Sequence, residues 1–256
     1  MQGVLYIGHG SRVKEGNDQL KEFVDSAKRD IPIPVQETCF LELAEPSILE
    51  GARRCVEQGV DSLAVVPVLL LAAGHIKKDI PEELAEVKRH YPELYLQYGE
   101  PFGLEAKILQ VLQQRLEKLG WKPEQSADIL LVGRGSSDKQ AINDFLVIAS
   151  RLKEAVGADQ VDTAFLAAAC PTFDEGLAKM KESSAAHVYV LPYLLFTGVL
   201  MQEMQQKIDI ANQESTANIH LCDFLGFDEQ LITILKKRTE ETLELPEFLP
   251  GREKYV

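Results

Sequence analysis

Three residues in the amino-terminal third of this chain are of types that do chemistry, and each lies just past an apolar run. His9 follows VLYIG at 4–8, Glu42 follows VQETCFL at 35–41, and His75 lies shortly after LAVVPVLLL at 63–71. Neutral imidazole can ligate a transition metal or carry a proton near pH 7, and a carboxylate can assist either task. Imidazole suits iron, cobalt, nickel and zinc alike. A single histidine after a strand is more often a structural hydrogen-bonding residue than a ligand. Two at successive strand ends, with a carboxylate between them, point instead to one shared site.

The elements that must hold these residues follow from periodicity. The runs at 4–8, 35–41, 63–71 and 94–98 read as strands, and the β-branched and leucine run at 63–71 suits a strand buried on both faces. Between them lie helical patterns at 13–28, at 47–58 after Pro46, and from Asp79 to Arg89, with Asp79 read as the N-cap and Pro81 in the first turn. A further helix covers 104–119, with Ile108, Leu112, Leu116 and Leu119 along one stripe. Strands alternating with helices imply right-handed crossovers and a parallel sheet covered on both faces. Ligands of such sheets gather outside the carboxyl ends of the strands, where His9, Glu42 and His75 all fall.

The chain then repeats itself. VLYIGHGS at 4–11 returns as ILLVGRGS at 129–136, FLELAEPSILEG at 40–51 as FLAAACPTFDEG at 165–176, and VVPVLLLAAGH at 65–75 as VLPYLLFTGVL at 190–200. Ile7 aligns with Val132, Phe40 with Phe165 and Pro67 with Pro192, the same 125-residue step each time. Self-similarity of this kind implies two lobes of one architecture. Strands are expected near 129–132, 161–166, 188–195 and 219–224, and helices near 139–155, 173–183, 199–211 and 228–243. The expected division is 1–120 for the amino-terminal lobe and 128–245 for its repeat, with an irregular tail over 246–256. The join at 120–127 is polar and contains a proline. Where lobe one has His9, Glu42 and His75, lobe two has Arg134, Ala167 and Leu200. The scaffold is doubled and the chemistry is not.

Composition narrows the function classes. The 256 residues are 45% hydrophobic and 26% charged, ordinary for a globular protein, and the net charge of −13 shows no basic stripe of the kind a nucleic-acid binder carries. An anionic substrate would need a local cluster of Lys and Arg to overcome that field. Arg12 and Arg134 follow glycine turns at strand ends, and Arg is the natural clamp for carboxylates. Lys77 and Lys78, beside His75, read singly as solvated charge. The stretch 194–204 reads equally well as core plus an amphipathic helix or as an apolar wall for a flat ligand, with Met201 and Met204 as adaptable packing groups. The four cysteines are scattered without a C-x-x-C and suit small buried hydrophobes in a reducing cytosol. The chain enters its first strand pattern without a signal-peptide pattern, and its longest apolar run is too short to span a bilayer, so a cytoplasmic protein without membrane contact is expected. His90, His187 and His220 match no motif.

The Gly-His-Gly-Ser-Arg turn at 8–12 lacks the spacing of a Walker loop, and Val13 stands where a dinucleotide fingerprint needs its third glycine. A phosphohydrolase with a histidine nucleophile typically places Arg directly before the His, where this chain has Gly8. A two-lobed small-molecule binding protein would share the architecture but needs neither histidine.

Taken together, VLYIGHGSR at 4–12, FLELAEPSI at 40–48, VVPVLLLAAGHIKKDIP at 65–81, GRGSSD at 133–138 and LPYLLFTGVLM at 191–201 resemble the sirohydrochlorin chelatase family, in its two-lobed form, over almost the whole chain. The resemblance implies two flavodoxin-like α/β lobes, each a parallel four-stranded sheet flanked by helices, and a class II chelatase that uses no nucleotide and no organic cofactor. It implies insertion of Fe²⁺ to give siroheme, or alternatively of Co²⁺ for cobalamin precursors, into a tetrapyrrole bearing eight carboxylates. Carried over to this sequence, His9 and His75 are the metal-handling and catalytic histidines, with Glu42 as their acidic partner. Arg12, Ser11, Arg134 and Ser136 are the expected substrate-binding residues. The expected partners are sirohydrochlorin and the divalent metal.

Overall fold

Buried runs of β-branched and leucine residues build two parallel sheets in the computed structural model of this protein, which describes residues 1–122, 127–158 and 160–251. Residues 123–126 of the expected join and 252–256 of the expected tail lie outside the described residues. The first sheet comprises β1 (Gln2–Gly8), β2 (Val35–Phe40), β3 (Ser62–Pro67) and β4 (Tyr95–Tyr98) in the order β2-β1-β3-β4. Its helices are α1 (Lys14–Lys28), α2 (Ile48–Glu57) and α3 (Ile80–His90). After α4 (Ala106–Lys118), the second sheet follows, with β5 (Ala127–Gly133), β6 (Val161–Phe165), β7 (His187–Tyr193) and β8 (Asn218–Leu221) in the order β6-β5-β7-β8. Its helices α5 (Lys139–Val156), α6 (Phe173–Lys181) and α7 (Val199–Glu214) precede α8 (Glu229–Leu243). Both sheets therefore share the flavodoxin-like order, whose direction reverses between the first and third strands and leaves a crevice at their carboxyl ends.

The helix starts follow local chemistry. Ser47 accepts from the Glu50 amide at the start of α2, and its repeat Thr172 forms a full capping box with Glu175 on α6. Asp138 accepts from the amides of Gln140 and Ala141 at the start of α5. Two expectations change. The strand expected over 63–71 ends at Pro67: Val68 donates the last ladder bond to Ile7 O at 2.8 Å, and beyond it Leu69 O and Leu70 O accept from Phe102 N and Gly103 N of the loop after β4 rather than from a strand. Asp79 is not an N-cap: it already has helical dihedrals and makes no capping bond. A π-helical turn, His75–Asp79, runs directly into α3.

The repeat in sequence and the compact unit in space have different boundaries. One unit comprises residues 1–103 and 232–256, the other 104–231. Thus α4, which closes the first repeat in sequence, belongs to the second unit, and α8, apart from its first turn, belongs to the first. An arginine secures each helix. Arg115 of α4 donates to Phe224 O at 2.9 Å and Leu225 O at 2.8 Å, and Arg238 of α8 donates to Pro101 O at 2.7 Å and Phe102 O at 2.9 Å. The carbonyls they satisfy lie in the loops that follow β8 and β4. The stripe of Ile108, Leu112 and Leu116 is buried as expected, whereas Leu119 is exposed.

Each sheet also carries the same tight turn at the carboxyl end of its first strand. Gly10 (φ +93°) and Gly135 (φ +90°) adopt left-handed backbone, and a Cβ on either would overlap a carbonyl oxygen, that of Glu42 or of Ala167. Leu41 N donates to Gly8 O and Glu42 N to His9 O; Leu166 N donates to Gly133 O and Ala167 N to Arg134 O. These bonds clamp residue 42 against residue 9, and residue 167 against residue 134. Gly10→Ala and Gly135→Ala are each expected to lower unfolding free energy by ~1–3 kcal/mol, measured by chemical denaturation. Only Gly10→Ala should also weaken Co²⁺ binding in calorimetry, because only that turn carries a histidine and a carboxylate.

Candidate functional site

The three residues singled out from the sequence converge. His9 Nε2 lies 3.1 Å from His75 Nε2 and 3.4 Å from Glu42 Oε1, with the two rings edge-on at 86° and their centroids 4.7 Å apart. Among the described residues, His9, Glu42 and His75 form a group in which one ligand atom from each lies within 4.8 Å of the others. His9 follows the end of β1, Glu42 lies beyond β2, and His75 opens the π-helical turn beyond β3. These are the neighbouring strand ends at the point where the sheet order reverses.

The other ring nitrogens decide what this cluster can do. His9 Nδ1 is 3.0 Å from Gly10 O, and a carbonyl can only accept, so Nδ1 carries the proton. His75 Nδ1 is 2.7 Å from Asp79 Oδ2 and donates to that carboxylate. With both protons on Nδ1, the Nε2 lone pair of each ring is directed toward the same small volume, beside the Glu42 carboxylate. Two lone pairs and a carboxylate oxygen make a cation-binding set, and three protein donors leave coordination positions open. Side-chain exposure of 21% for His9, 33% for His75 and 47% for Glu42 makes the cluster reachable from solvent.

Asp79 was missed as a site residue by the sequence reading, which took its side chain for a helix cap. The missed signal is the H-x-x-x-D spacing, which places the carboxylate one helical turn from His75.

The expected substrate-binding residues occupy equivalent turns in the two units. Arg12 and Arg134 are exposed, beyond β1 and β5 respectively. Ser11 Oγ accepts from Val13 N and Ser136 Oγ from Asp138 N, both at 3.0 Å, so each hydroxyl shapes its turn and keeps its own proton to donate. Ser11 N donates to Asn17 Oδ1 at 2.8 Å, fixing that turn against α1. Of the apolar stretch at 194–204, Met204 is fully buried in the core and cannot contact a ligand; Met201 is partly buried against the same cluster.

The other histidines lie elsewhere. His90 is in the last turn of α3, and His187 is the first residue of β7, at the amino end of its sheet, with Nδ1 3.1 Å from His220 Nε2. Burial and the neighbouring His187 lower the pKa of His220, so His220 favours the neutral form. Cys39, Cys55 and Cys222 are buried as expected, and Cys170 departs from expectation by being exposed. No helix among the described residues is long and apolar enough to cross a membrane.

The CbiX family model matches residues 3–119 and again 128–242. A sirohydrochlorin ferrochelatase of Priestia megaterium is 43% identical over 243 residues, covering 95% of this chain and 91% of that relative. A sirohydrochlorin cobaltochelatase of the same organism is 38% identical over 249 residues, covering 95% of this chain and 81% of the relative. The solved structure of SirB from Bacillus subtilis with Fe3+ has a TM-score of 0.85 and 37% identity, covering 95% of this chain and 96% of that one.

The bond from His75 to Asp79 has a measurable consequence. Asp79→Asn removes the charge and lets the side chain offer an N–H to Nδ1, which would favour the tautomer with its proton on Nε2. Co²⁺ affinity measured by calorimetry should fall about 10–100-fold, with little change in thermal stability.

Proposed function

Since this chain belongs to the CbiX family, with the family model matched by both halves, we propose that it is a sirohydrochlorin ferrochelatase that inserts Fe²⁺ into sirohydrochlorin to give siroheme. The observation that carries the reading is the paired Nδ1 commitment of His9 and His75, which directs both Nε2 lone pairs to one point beside Glu42. Iron is preferred over cobalt on the higher identity to the ferrochelatase, 43% against 38% for the cobaltochelatase. The donor set itself does not choose, since Fe²⁺ and Co²⁺ accept the same imidazole and carboxylate ligands.

In this reading the metal is a substrate. His9 and His75 take it through Nε2, and Glu42 supplies negative charge that offsets part of the metal's charge. A relay of this kind needs ligands that bind a divalent ion and then release it, which neutral imidazole does better than thiolate. The macrocycle must also lose two pyrrole N–H protons as the metal enters. When the ion leaves the histidines, two Nε2 lone pairs are released beside it. The number of bases thus matches the number of protons, and no organic cofactor is invoked. The asymmetry of the repeat supports metal handling by the first unit alone, since Arg134, Ala167 and Leu200 offer no equivalent set.

The carboxylates of the macrocycle are assigned to Arg12 and Arg134, with the hydroxyls of Ser11 and Ser136 as further donors. Both arginines are exposed beside the left-handed glycines at strand ends, Arg12 after Gly10 and Arg134 before Gly135, which supports carboxylate recognition that a chain of net charge −13 otherwise lacks. We place the reaction in the cytoplasm, in keeping with the buried thiols of Cys39, Cys55 and Cys222. The acidic surface argues against a nucleic-acid partner.

The test is direct. Sirohydrochlorin and Fe²⁺ or Co²⁺ are incubated with the protein and metal insertion is followed by the absorbance change. His9→Ala and His75→Ala should each slow insertion by at least about 100-fold with the fold retained, and Glu42→Gln should slow it about tenfold. Wild-type turnover in a folded histidine variant would refute the assignment. Arg12→Ala and Arg134→Ala should instead raise the KM for the tetrapyrrole about tenfold, the worth of one charge-assisted hydrogen bond, while the metal dependence stays put.

A further inference from the structure

The π-helical turn that carries His75 has one carbonyl that its own helix does not satisfy. Ile80 N donates to His75 O, five residues back, rather than to Ile76 O, four back. In the π register Ile76 O would next look to residue 81, but that residue is Pro81, which has no N–H. The group that satisfies it comes from β4: the Tyr98 hydroxyl donates to Ile76 O at 2.8 Å. Tyr98 is 2% exposed, and burial holds its phenol pKa well above the ordinary value, so it remains a neutral donor. An unmatched buried carbonyl is costly, so the turn keeps this register only while the hydroxyl is in place.

Tyr98 is in turn braced by the C-terminal segment. Phe248 packs edge-on against its ring, with centroids 5.5 Å apart at 72°. Phe248 N donates to Leu96 O at 2.6 Å, Gln97 Nε2 donates to Leu243 O at 2.6 Å and Leu245 O at 2.9 Å, and Glu247 pairs with Lys88 at 2.7 Å. The second unit has none of these parts. The register that pairs Val65 with Tyr98 pairs Val190 with Leu221, and Pro81 is replaced by Gln206. There α7 begins without a π-helical turn. The equivalents of Tyr98 and Pro81 are thus confined to the unit that carries His9 and His75.

We infer that Tyr98 is a positioning residue for metal insertion: its hydroxyl, braced by Phe248, holds the π-helical turn in the register that presents His75 Nε2 to His9 and joins His75 to Asp79. This rests on the reading of His75 as a metal-handling residue. It also gives the C-terminal segment a role at a site from which it is distant in sequence.

The test uses the full chain and Co²⁺ as probe. Tyr98→Phe removes only the hydroxyl. It should bind Co²⁺ about tenfold more weakly in calorimetry, shift the visible absorption of bound Co²⁺, and lower kcat without raising the KM for sirohydrochlorin. Phe248→Leu should move the same readouts the same way, by less. Adding Pro81→Ala to Tyr98→Phe supplies an N–H for Ile76 O and should recover part of the affinity. Val87→Ala, a core change on the same helix, should lower Tm without altering the Co²⁺ spectrum. Wild-type affinity and spectrum in Tyr98→Phe would overturn the inference, as would failure of Pro81→Ala to restore either, or a Val87→Ala variant that reproduces the spectral shift. Should Tyr98→Phe not fold, wild-type values in Phe248→Leu overturn it. His75→Ala separates the two readings: retained Co²⁺ binding there would undo the metal site itself, whereas its loss beside a wild-type-like Tyr98→Phe would undo the positioning role alone.

Discussion

His9 Nε2 and His75 Nε2 lie 3.1 Å apart, close enough to share one proton or one cation, and the rings meet edge-on. Most of the local structure of the first unit serves to hold that arrangement. The Gly10 carbonyl and the Asp79 carboxylate each take an Nδ1 proton and so fix both tautomers. The Gly10 turn clamps Glu42 beside His9 through the backbone. The π-helical turn sets the phase at which His75 leaves β3. One proton or one divalent ion beside the two nitrogens would be within reach of both.

Duplication explains how such a site is supported. Both units have the β2-β1-β3-β4 pattern, the left-handed glycine after the first strand and the capped helix after the second. In the second unit the same framework carries Arg134, Ala167 and Leu200, with Leu221 for Tyr98 and a buried Met204 for Asp79. His9, Glu42, His75, Asp79 and Tyr98 thus each have a residue of different chemistry at the equivalent place in the second unit. The scaffold persists because its glycines and caps satisfy backbone demands that do not depend on the ligand.

Much of this was legible in the chain itself. Apolar runs ending in glycine or in a polar residue located the strands, and a 125-residue self-match located the repeat. Parallel topology follows from alternation, and parallel topology sends strand-end residues to one edge, so His9, Glu42 and His75 could be grouped without coordinates. Where the reading failed, the cause was a local pattern with two physical outcomes. An aspartate before a proline is a good helix cap, but Asp79 lies inside a helical turn and uses its carboxylate on His75. A leucine run looks like strand up to residue 71, but beyond Val68 its carbonyls accept from the loop after β4 rather than from a strand. Met204 fits either a ligand wall or a core stripe, and the core claims it.

The residue types and their order determined the fold class, the doubling, the chemical character of the site and its confinement to one repeat, because these depend on periodicity and on which side chains follow which strand. Only the tertiary structure decided the tautomers, the exchange of α4 and α8 between repeat and compact unit, and the register of the turn that carries His75. The last two depend on partners far away in sequence: Arg115 on carbonyls beyond β8, Arg238 on carbonyls beyond β4, and Ile76 O on the hydroxyl of Tyr98. Hydrogen-bond partners separated by twenty or more residues leave no periodic trace in the chain, so they become visible only when folding brings them within 3 Å of each other.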